Sequence, residues 1–251
     1  MKVLRLSVVI AAMCAATPFG GERQGSEHQE WSYEGPTGPL NWGKLPGNAM
    51  CEAGRNQSPI NIEASLKTSA TPLQPHYAAG SKDIVNNGHT IQIDFQTGDT
   101  VAVDNTTFTL QQMHFHAPSE NQIAGRTFPM EAHFVHADGQ GNLLVVAVMF
   151  KEGEALAALD KVWAAMSPDA GPPRPLLNVV TPMAFLPKSR SYYRFSGSLT
   201  TPPCTEGVRW VVLETPVSAS KAQIEAFEHA IKHHNNRPVQ PLNGRVVIEK
   251  K

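Results

Sequence analysis

The stretch Gln112-Met113-His114-Phe115-His116, followed by Met130-Glu131-Ala132-His133, decides the fold of this chain. Side chains of an extended strand alternate between its two faces, so the glutamine and both histidines of the first run share one face. The glutamate and the histidine of the second run share a face for the same reason. Two neighbouring antiparallel strands carrying these runs would therefore direct three imidazoles at one point.

Three histidines with an open fourth position, here His114, His116 and His133, are the ligand set of a catalytic zinc site. Gln112 and Glu131 each stand two residues before a histidine, where they can accept the proton on its other ring nitrogen and fix the tautomer. The pattern alone also allows a histidine-rich strand pair that faces solvent. The third histidine, with a carboxylate partner of its own, favours the metal site.

The composition indicates one large folded domain. The chain has 251 residues, enough for a sizeable core, and 21 Lys plus Arg stand against 22 Asp plus Glu. The near-zero net charge provides no basic surface for nucleic acid. Charged residues are only 17%, which is low for a disordered chain, while 20 prolines and 19 glycines indicate many turns. We find no composition break between residues 31 and 247 and assign that range to a single domain.

The N-terminus has the pattern of an export signal. Lys2 and Arg5 precede an apolar run, Leu6 to Ala16, that is too short to span a bilayer and ends in small residues suited to cleavage near Ala16. We therefore expect a signal peptide over 1–16, a short polar leader over 17–30 and a periplasmic or secreted mature protein. No other apolar run is long enough to cross a membrane.

Two cysteines remain once the signal is removed, Cys51 and Cys204. An even pair in an exported chain indicates one disulfide, although two free buried thiols would satisfy the same count. A bridge would close a loop of roughly 150 residues and stabilise the fold by about 4–5 kcal/mol through chain entropy.

The chain reads as many strands and few helices. Strand-like alternation occurs at 89–95, 107–116 and 131–136, and a near-continuous apolar run at 143–150 predicts a central strand buried on both faces. Residues 207–213 predict a further strand. Turns are predicted at 87–88 and at 97–99, the second as a hairpin. Apolar stripes predict helices at 154–166 and 220–233, the latter opening with a capping box from Ser220 to Gln223. One mainly β, sheet-centred domain follows.

Several short motifs lie between about residue 31 and residue 245. They are Asn56-Gln-Ser-Pro-Ile-Asn61, Asn86-Asn-Gly-His89, Gln112-Met-His-Phe-His116, Ser119-Glu120, Glu131-Ala-His-Phe-Val-His136, Gly197-Ser-Leu-Thr-Thr-Pro-Pro-Cys204 and Asn235-Asn-Arg-Pro-Val-Gln-Pro241. Together, in this order and at these spacings, they resemble the α-class carbonic anhydrases.

The resemblance implies a single domain on a central twisted sheet of about ten strands, mostly antiparallel, with a few peripheral helices. It implies zinc on His114, His116 and His133 at the base of a conical cleft, and reversible hydration of CO2 to bicarbonate and a proton by attack of zinc-bound hydroxide. Three neutral imidazoles leave the +2 charge of zinc intact, and in carbonic anhydrase itself this lowers the pKa of bound water from 15.7 to about 7.

Individual roles also follow from the resemblance. Thr200 matches the residue that accepts a hydrogen bond from the zinc-bound hydroxide, and Glu120 matches the acceptor of the Thr200 hydroxyl proton. The backbone N–H of Thr200, with Thr201 nearby, matches the place where bicarbonate or an anionic inhibitor binds. His89 matches the proton shuttle, since an imidazole with a pKa near 6.5 can take up and release a proton at neutral pH. The backbone carbonyl of Asn235 matches the partner of the second zinc ligand.

Larger groups complete the implied cleft. The apolar wall that receives CO2 is matched by Val135, Leu143, Val145, Leu199, Val208 and Trp210. Tyr33 and Asn87 match the polar wall that carries solvent, and the pair Cys51 and Cys204 matches a bridge of exported members. Ala117-Pro118 follows the second ligand, where vertebrate members carry an aromatic residue and glycine, and this difference favours the bacterial branch. Ile91 and Gln92 match positions that line the site beyond His89, so the resemblance does not specify how efficiently His89 carries protons.

The remaining histidines receive no catalytic role. His136 has the wrong strand parity to join His133 and should face away as a structural residue. We expect the others to lie at the surface or to serve in packing, and the pair His233-His234 to bind metal only adventitiously. They are His28, His76, His229, His233 and His234.

Two rival functions stay open on the sequence. A cupin-type metalloprotein fits His114-x-His116-x3-Glu120, with Glu120 as a ligand, but the flanking glycines and a second motif are missing. A catalytically silent, carbonic anhydrase-related binding module would lack one or more zinc histidines, whereas all three are present. Homodimers are common among bacterial relatives, which implies a homodimer by analogy only.

Overall fold

The computed structural model describes residues 30–69 and 73–250. The signal peptide expected over 1–16 lies outside these residues, as does the polar leader except for its last residue. None of the helices within the described residues is long and apolar enough to cross a membrane.

Strands dominate the described residues. They are β1 (Asn61–Ile62), β2 (Leu66–Thr68), β3 (Gln74–His76), β4 (Ser81–Asn86), β5 (Ile91–Phe95), β6 (Thr100–Val103), β7 (Thr106–His116), β8 (Gln122–Ile123), β9 (Met130–Ala137), β10 (Leu143–Glu152), β11 (Arg174–Pro175), β12 (Tyr192–Ser198), β13 (Glu206–Leu213), β14 (Val217–Ala219) and β15 (Ile248–Lys250).

The helices are few and short. They are α1 (Met50–Ala53), α2 (Ala157–Trp163) and α3 (Lys221–Ile231), together with 3-10 turns at Gly35–Thr37, Trp42–Lys44 and Pro182–Phe185.

One large mixed sheet organises the molecule. Its strands follow the order β11-β4-β5-β7-β9-β10-β13-β12-β15-β2, with β3, β6 and β14 paired beside this path. Neighbours along the path are antiparallel except for β10 with β13 and β15 with β2. The expectation of a mainly β, single domain on a central and mostly antiparallel sheet is confirmed. Within the described part of the chain that sheet has 13 strands rather than about ten, and β1 pairs with β8 in a separate two-stranded sheet.

Strand parity divides the sheet into two apolar layers. On β10, Leu144 and Val146 belong to the larger core, which α2 and α3 cover, whereas Val145 and Ala147 belong to a smaller cluster on the other face. Both faces of β10 are buried, as its continuous apolar run predicts. Side chains also alternate along β7 and β9, so one face of these strands packs in the larger core. Their other, polar face lies on the same side of the sheet as the smaller cluster.

Both predicted helices exist, but their ends differ from the sequence prediction. α2 begins at Ala157 rather than 154 because Leu156 is extended and its N–H donates to the Gln223 side chain at 3.0 Å. Beyond Trp163 the chain continues in tighter turns, such as Met166 N–H to Trp163 carbonyl at 3.1 Å.

α3 has the capping box that the sequence predicts. The Ser220 hydroxyl accepts from the Gln223 N–H at 3.2 Å, and the Gln223 side chain accepts from the Ser220 N–H at 3.1 Å. The helix ends at Ile231 rather than 233, because Lys232 is left-handed, with φ at 68°, and its N–H donates to the Glu228 carbonyl.

The hairpin predicted at 97–99 is wrong. The strand that follows this turn, β6, does not pair with β5 but folds back on β7, with Val103 opposite Thr106. The tight turn is Asp104-Asn105, where both residues have positive φ, at 51° and 59°. Asp and Asn tolerate that conformation better than other non-glycine residues, so this pair carried the hairpin signal.

His136 faces the larger core, away from His133, as its parity predicts. Its Nε2 lies 2.6 Å from the Tyr77 hydroxyl and its Nδ1 lies 3.3 Å from the Leu144 carbonyl oxygen. Burial lowers the pKa of His136 to about 4, although the carbonyls of Leu144 and Phe134 oppose the shift. The imidazole is therefore neutral in the folded protein at neutral pH.

This buried neutral imidazole makes stability depend on pH. Its pKa is near 6.5 in the unfolded chain, so acid protonates the unfolded chain first, and stability is lost as pH falls from about 6.5 towards 4. Between pH 7 and pH 5 we expect wild type to lose about 2 kcal/mol more unfolding free energy than His136→Gln. Urea unfolding of both proteins at the two pH values measures this, and equal losses would contradict it.

Candidate metal centre

The register between β7 and β9 brings the three histidines together. His114 stands directly opposite His133, and His116 stands opposite Glu131. The side chains share one face because each strand alternates, and the register shift near Gln112 lies before the first histidine. The convergence expected from the two sequence runs is confirmed.

Each imidazole has one nitrogen engaged with a polar partner. His114 Nδ1 lies 2.8 Å from Gln112 Oε1, and His116 Nδ1 lies 2.6 Å from the carbonyl oxygen of Asn235. His133 is turned the other way, with Nε2 2.9 Å from Glu131 Oε1. These partners accept the ring proton, so the second nitrogen of each ring keeps its lone pair.

The three free nitrogens face a common point. The nearest ligand atoms of His114, His116 and His133 all lie within 4.8 Å of one another, and the buried His116 Nε2 has no hydrogen-bond partner. Burial lowers the pKa of all three imidazoles, and the neighbouring rings lower the pKa of His114 and His133 further. Neutral rings with unpartnered lone pairs are what zinc requires, so the residues fit this metal.

Glu131 has hydrogen-bond partners in addition to His133. Its Oε2 accepts from the N–H of Glu120 at 2.7 Å and of Asn121 at 2.9 Å, while the Asn121 amide donates to Oε1 at 2.8 Å. Burial raises the pKa of Glu131, and the Asn121 side chain, through its hydrogen bond, opposes the shift most. The carboxylate therefore has a fixed orientation towards His133.

Glu120 occupies the space beside two of the histidines. Its Oε1 accepts from the Arg237 N–H at 2.8 Å, while Oε2 lies 3.6 Å from His116 Nε2 and 3.9 Å from His133 Nδ1. Burial raises the pKa of Glu120 to about 8, and the Arg237 N–H and the Thr200 hydroxyl both lower it. A cation on the histidines would favour the carboxylate form.

An apolar wall borders the centre on one side. The Trp210 ring meets the His133 ring edge-on at 4.9 Å between centroids, and its indole N–H donates to the Ser198 carbonyl at 3.0 Å. The residues expected from the resemblance to receive CO2 all belong to the same apolar cluster: Val135, Leu143, Val145, Leu199, Val208 and Trp210.

Aromatic and polar groups surround His89, which Asn235 connects to the centre. His89 is half-buried and stacks on Trp31 with centroids 3.9 Å apart, and Tyr33 contacts it edge-on at 6.4 Å. The exposed Asn87 uses its side chain locally, accepting from the N–H groups of His89 and Thr90 at 2.9 Å. His89 is thus fixed by its ring partner and by the turn that carries it.

Asn235 connects the histidine centre to His89. Its carbonyl holds His116, its side-chain oxygen accepts from the Ala117 N–H at 2.8 Å, and its amide donates to the carbonyls of His89 and Phe115 at 2.9 Å. One buried residue therefore fixes the end of β7 and the start of β5 together.

Cys51 and Cys204 form a disulfide across 153 residues, which decides between the bridge and the two free thiols. The Cys204 N–H donates to the Thr201 carbonyl at 2.9 Å, so the bridge borders the loop that carries Thr200. The buried Arg237 guanidinium donates to the Cys51 carbonyl at 2.9 Å. A disulfide is typical of an oxidising compartment and consistent with an exported protein.

Sequence reasoning missed several supporting residues. Asn121 and Arg237 lie beside or within motifs that the resemblance rests on, but their partners Glu131 and Glu120 lie 10 and 117 residues away in the chain and outside any short periodic pattern. Trp31 lies at the N-terminal edge of the region that resembles the family. Its stacking on His89 joins residues that are distant in the chain, so the periodicity of the sequence does not reveal it. His233 is a packing residue, as expected, but the sequence does not indicate that its ring stacks on Tyr33.

A neutral three-nitrogen site on adjacent strands, beside an apolar cluster, defines a mononuclear zinc enzyme that acts on a small substrate. The profile of the eukaryotic-type carbonic anhydrases matches residues 37–251. The chain therefore belongs to the α-class carbonic anhydrase family, and its activity is the zinc-dependent, reversible hydration of CO2. This membership removes the cupin alternative.

Named relatives agree over most of the chain. A carbonic anhydrase of Pectobacterium carotovorum is 49% identical over 94% of this chain and 97% of its own length. One from Klebsiella pneumoniae is 51% identical over 87% and 90%. The α-carbonic anhydrase of Thermovibrio ammonificans, solved with the inhibitor sulfanilamide, superposes with a TM-score of 0.85 at 47% identity, covering 88% of this chain and 99% of that one.

Proposed function

We propose that CO2 hydration in this protein takes place at the three-histidine centre, with His114, His116 and His133 holding the zinc. The observation that carries the proposal is the convergence of three ligand nitrogens whose opposite nitrogens are all engaged. When bound, zinc supplies the Lewis acidity that makes water a nucleophile at neutral pH. Gln112, Glu131 and Asn235 fix the ligand tautomers.

The apolar cluster beside the centre would receive CO2. The substrate has no net charge or hydrogen-bond donor, so shape and water exclusion decide where it lies. Val145, Val208 and Trp210 are buried and belong to one cluster with the half-buried Val135, Leu143 and Leu199. The edge-on contact between Trp210 and His133 brings this wall next to the ligands.

Thr200 and Glu120 would orient the attacking oxygen. Thr200 is proposed to accept a hydrogen bond from that oxygen and to donate its own hydroxyl proton to Glu120. The effect of the Thr200 hydroxyl on the Glu120 pKa supports this direction. Thr201 would contact the bicarbonate product. Fixing the lone pair that attacks CO2 is a positioning effect, which acts on rate more than on metal affinity.

His89 would carry the released proton away from the centre. It is half-buried at the polar side, and its pKa is lowered chiefly by burial, an effect opposed by the charge of Glu30. Such a ring gives up a proton readily at neutral pH. Tyr33, a buried neighbour of His89, completes the polar wall with Asn87.

Replacing His89 by alanine tests the shuttle. Since proton export follows attack on CO2, kcat in weak buffer should fall about tenfold while kcat/KM for CO2 stays nearly unchanged. Imidazole buffers should restore much of the loss, because a titrating group of similar pKa then enters the cleft. Stopped-flow hydration across imidazole concentrations measures both parameters.

Two outcomes would count against the shuttle. An unchanged kcat in weak buffer would show that protons leave by another route. A lowered kcat/KM without any response to imidazole would make His89 a wall residue whose loss loosens the cleft.

We also propose that residues 1–16 are a cleaved export signal, that 17–30 are a short leader, and that the mature enzyme is periplasmic or secreted. Support comes from the Cys51–Cys204 disulfide and from the positive and apolar pattern of the N-terminus. Protein purified from an extracytoplasmic fraction should have the intact mass of the chain without the signal. It should also show no thiol open to alkylation without reductant. Two alkylated cysteines in the native protein would contradict the proposal.

A homodimer is the assembly we propose, on the analogy of bacterial relatives alone. Light scattering of the mature enzyme at working concentration tests it. A monomeric mass would overturn it and leave the chemistry of the site unchanged.

A further inference from the structure

A second imidazole lies at the same rim as His89. The His233 ring stacks on Tyr33, with centroids 5.7 Å apart and planes 30° from parallel, while His89 meets the same ring at 6.4 Å. His233 Nε2 lies 3.3 Å from the carbonyl oxygen of Gly88, the residue before His89. The two imidazoles therefore share an aromatic neighbour and a turn.

Both ring nitrogens of His233 lie near backbone carbonyl oxygens. Nε2 faces the Gly88 carbonyl, and Nδ1 lies 3.1 Å from the carbonyl oxygen of His234. One ring N–H can donate to a carbonyl while the other nitrogen takes up a proton and donates it in turn. The ring is half-buried, so solvent reaches it.

Charged groups near this rim act on His89 and line the cavity outside His233. Glu30 favours the protonated form of His89, whereas a charge on His233 lowers the His89 pKa. Outside His233 lies a surface cavity of about 610 Å³. Its lining comprises Glu225, Glu228, His229, Lys232, His233 and His234. Lys232 is paired with Asp169 at 2.9 Å, and Glu225 with Lys221 at 3.6 Å, so the cavity is open to buffer without a dominant unpaired cation.

We propose that His233 is a second proton-relay residue, which takes the proton from His89 and passes it to buffer in the outer cavity. In this step the His89 imidazolium loses one ring N–H proton through water to a ring nitrogen of His233. His233 then gives a proton to a buffer base, and both rings end neutral. The inference rests on the proposed shuttle role of His89.

The substitution His233→Gln separates relay from support. Glutamine can still donate to the Gly88 carbonyl but cannot carry a proton, so a supporting role would survive and a relay would not. In weak buffer we expect kcat to fall roughly threefold, less than in His89→Ala because buffer still reaches the half-buried His89 directly. The kcat/KM for CO2 should not change, and imidazole should restore kcat. His229→Gln, at an exposed imidazole of α3 in the same cavity, is the matched control and should behave as wild type.

A double variant and a titration complete the test. If the two histidines act in series, His89→Ala/His233→Gln should be no slower than His89→Ala alone. The His89 ring, followed by NMR, should titrate at higher pH in His233→Gln, because a neighbouring cation is gone. Additive losses, or an unchanged kcat in His233→Gln while His89→Ala is impaired, would overturn the relay and leave the His89 role standing. An unimpaired His89→Ala would instead reject the proposed function on which the relay rests.

Discussion

Alanine at His133 is expected to leave the protein with little zinc and to lower the rate of CO2 hydration by more than about 100-fold. Losing a residue that only hydrogen-bonds to a metal ligand typically costs up to about 100-fold in metal affinity or activity. His133 is assigned as a ligand itself, so its loss should cost more. Only two imidazoles would remain at the site, and Glu131 would lose its imidazole partner while keeping its hydrogen bonds from Glu120 and Asn121. Zinc content by elemental analysis and stopped-flow hydration measure the two effects.

The control for this substitution is His76→Ala, at an exposed histidine on the short strand β3. It removes an imidazole of the same kind far from the centre and should keep full zinc and full rate. If His133→Ala itself kept full zinc and wild-type turnover, the assignment of the ligands would be wrong.

Alanine at Thr200 is expected to separate rate from metal content. Removing the hydroxyl removes the proposed acceptor for the attacking oxygen, and such a positioning loss costs on the order of 100-fold in kcat/KM. Zinc occupancy should stay near that of wild type, because the three imidazole nitrogens that form the ligand set are unchanged in this variant. Rate per zinc, measured on the same sample, is the decisive quantity.

Serine at the same position is the matched comparison. Thr200→Ser keeps the hydroxyl that faces Glu120 and should retain most of the rate that Thr200→Ala loses. The proposed role fails if Thr200→Ala loses zinc while its metallated fraction turns over normally, or if serine is as slow as alanine.

Local periodicity predicted the parts of the molecule that one strand or one helix specifies. The parity of His114, His116 and His133, the opposite parity of His136 and the capping box of Ser220 each depend on neighbours within a few residues. These features appear in the structure as the sequence indicates. The cysteine pair followed from the count once the signal was set aside.

Long-range contacts decided what the sequence could not show. α2 begins late because the Gln223 side chain, 67 residues further on, binds the Leu156 N–H. β6 pairs with β7 instead of β5 because the chain reverses direction at the turn Asp104-Asn105. Asn121 donates to the Glu131 carboxylate and Arg237 donates to the Glu120 carboxylate. Both contacts depend on how the fold brings these residues together, so the local sequence does not reveal them.

The most direct test of the central claim is CO2 hydration measured against zinc content in one preparation of the mature enzyme. The rate should be measured before chelation, after the metal is removed, and after one equivalent of zinc is returned, with folding followed by circular dichroism throughout. Since the three-histidine centre is assigned the whole reaction, the rate should fall in proportion to the zinc removed and return with it. Hydration that persists undiminished in folded, zinc-free protein would contradict the account.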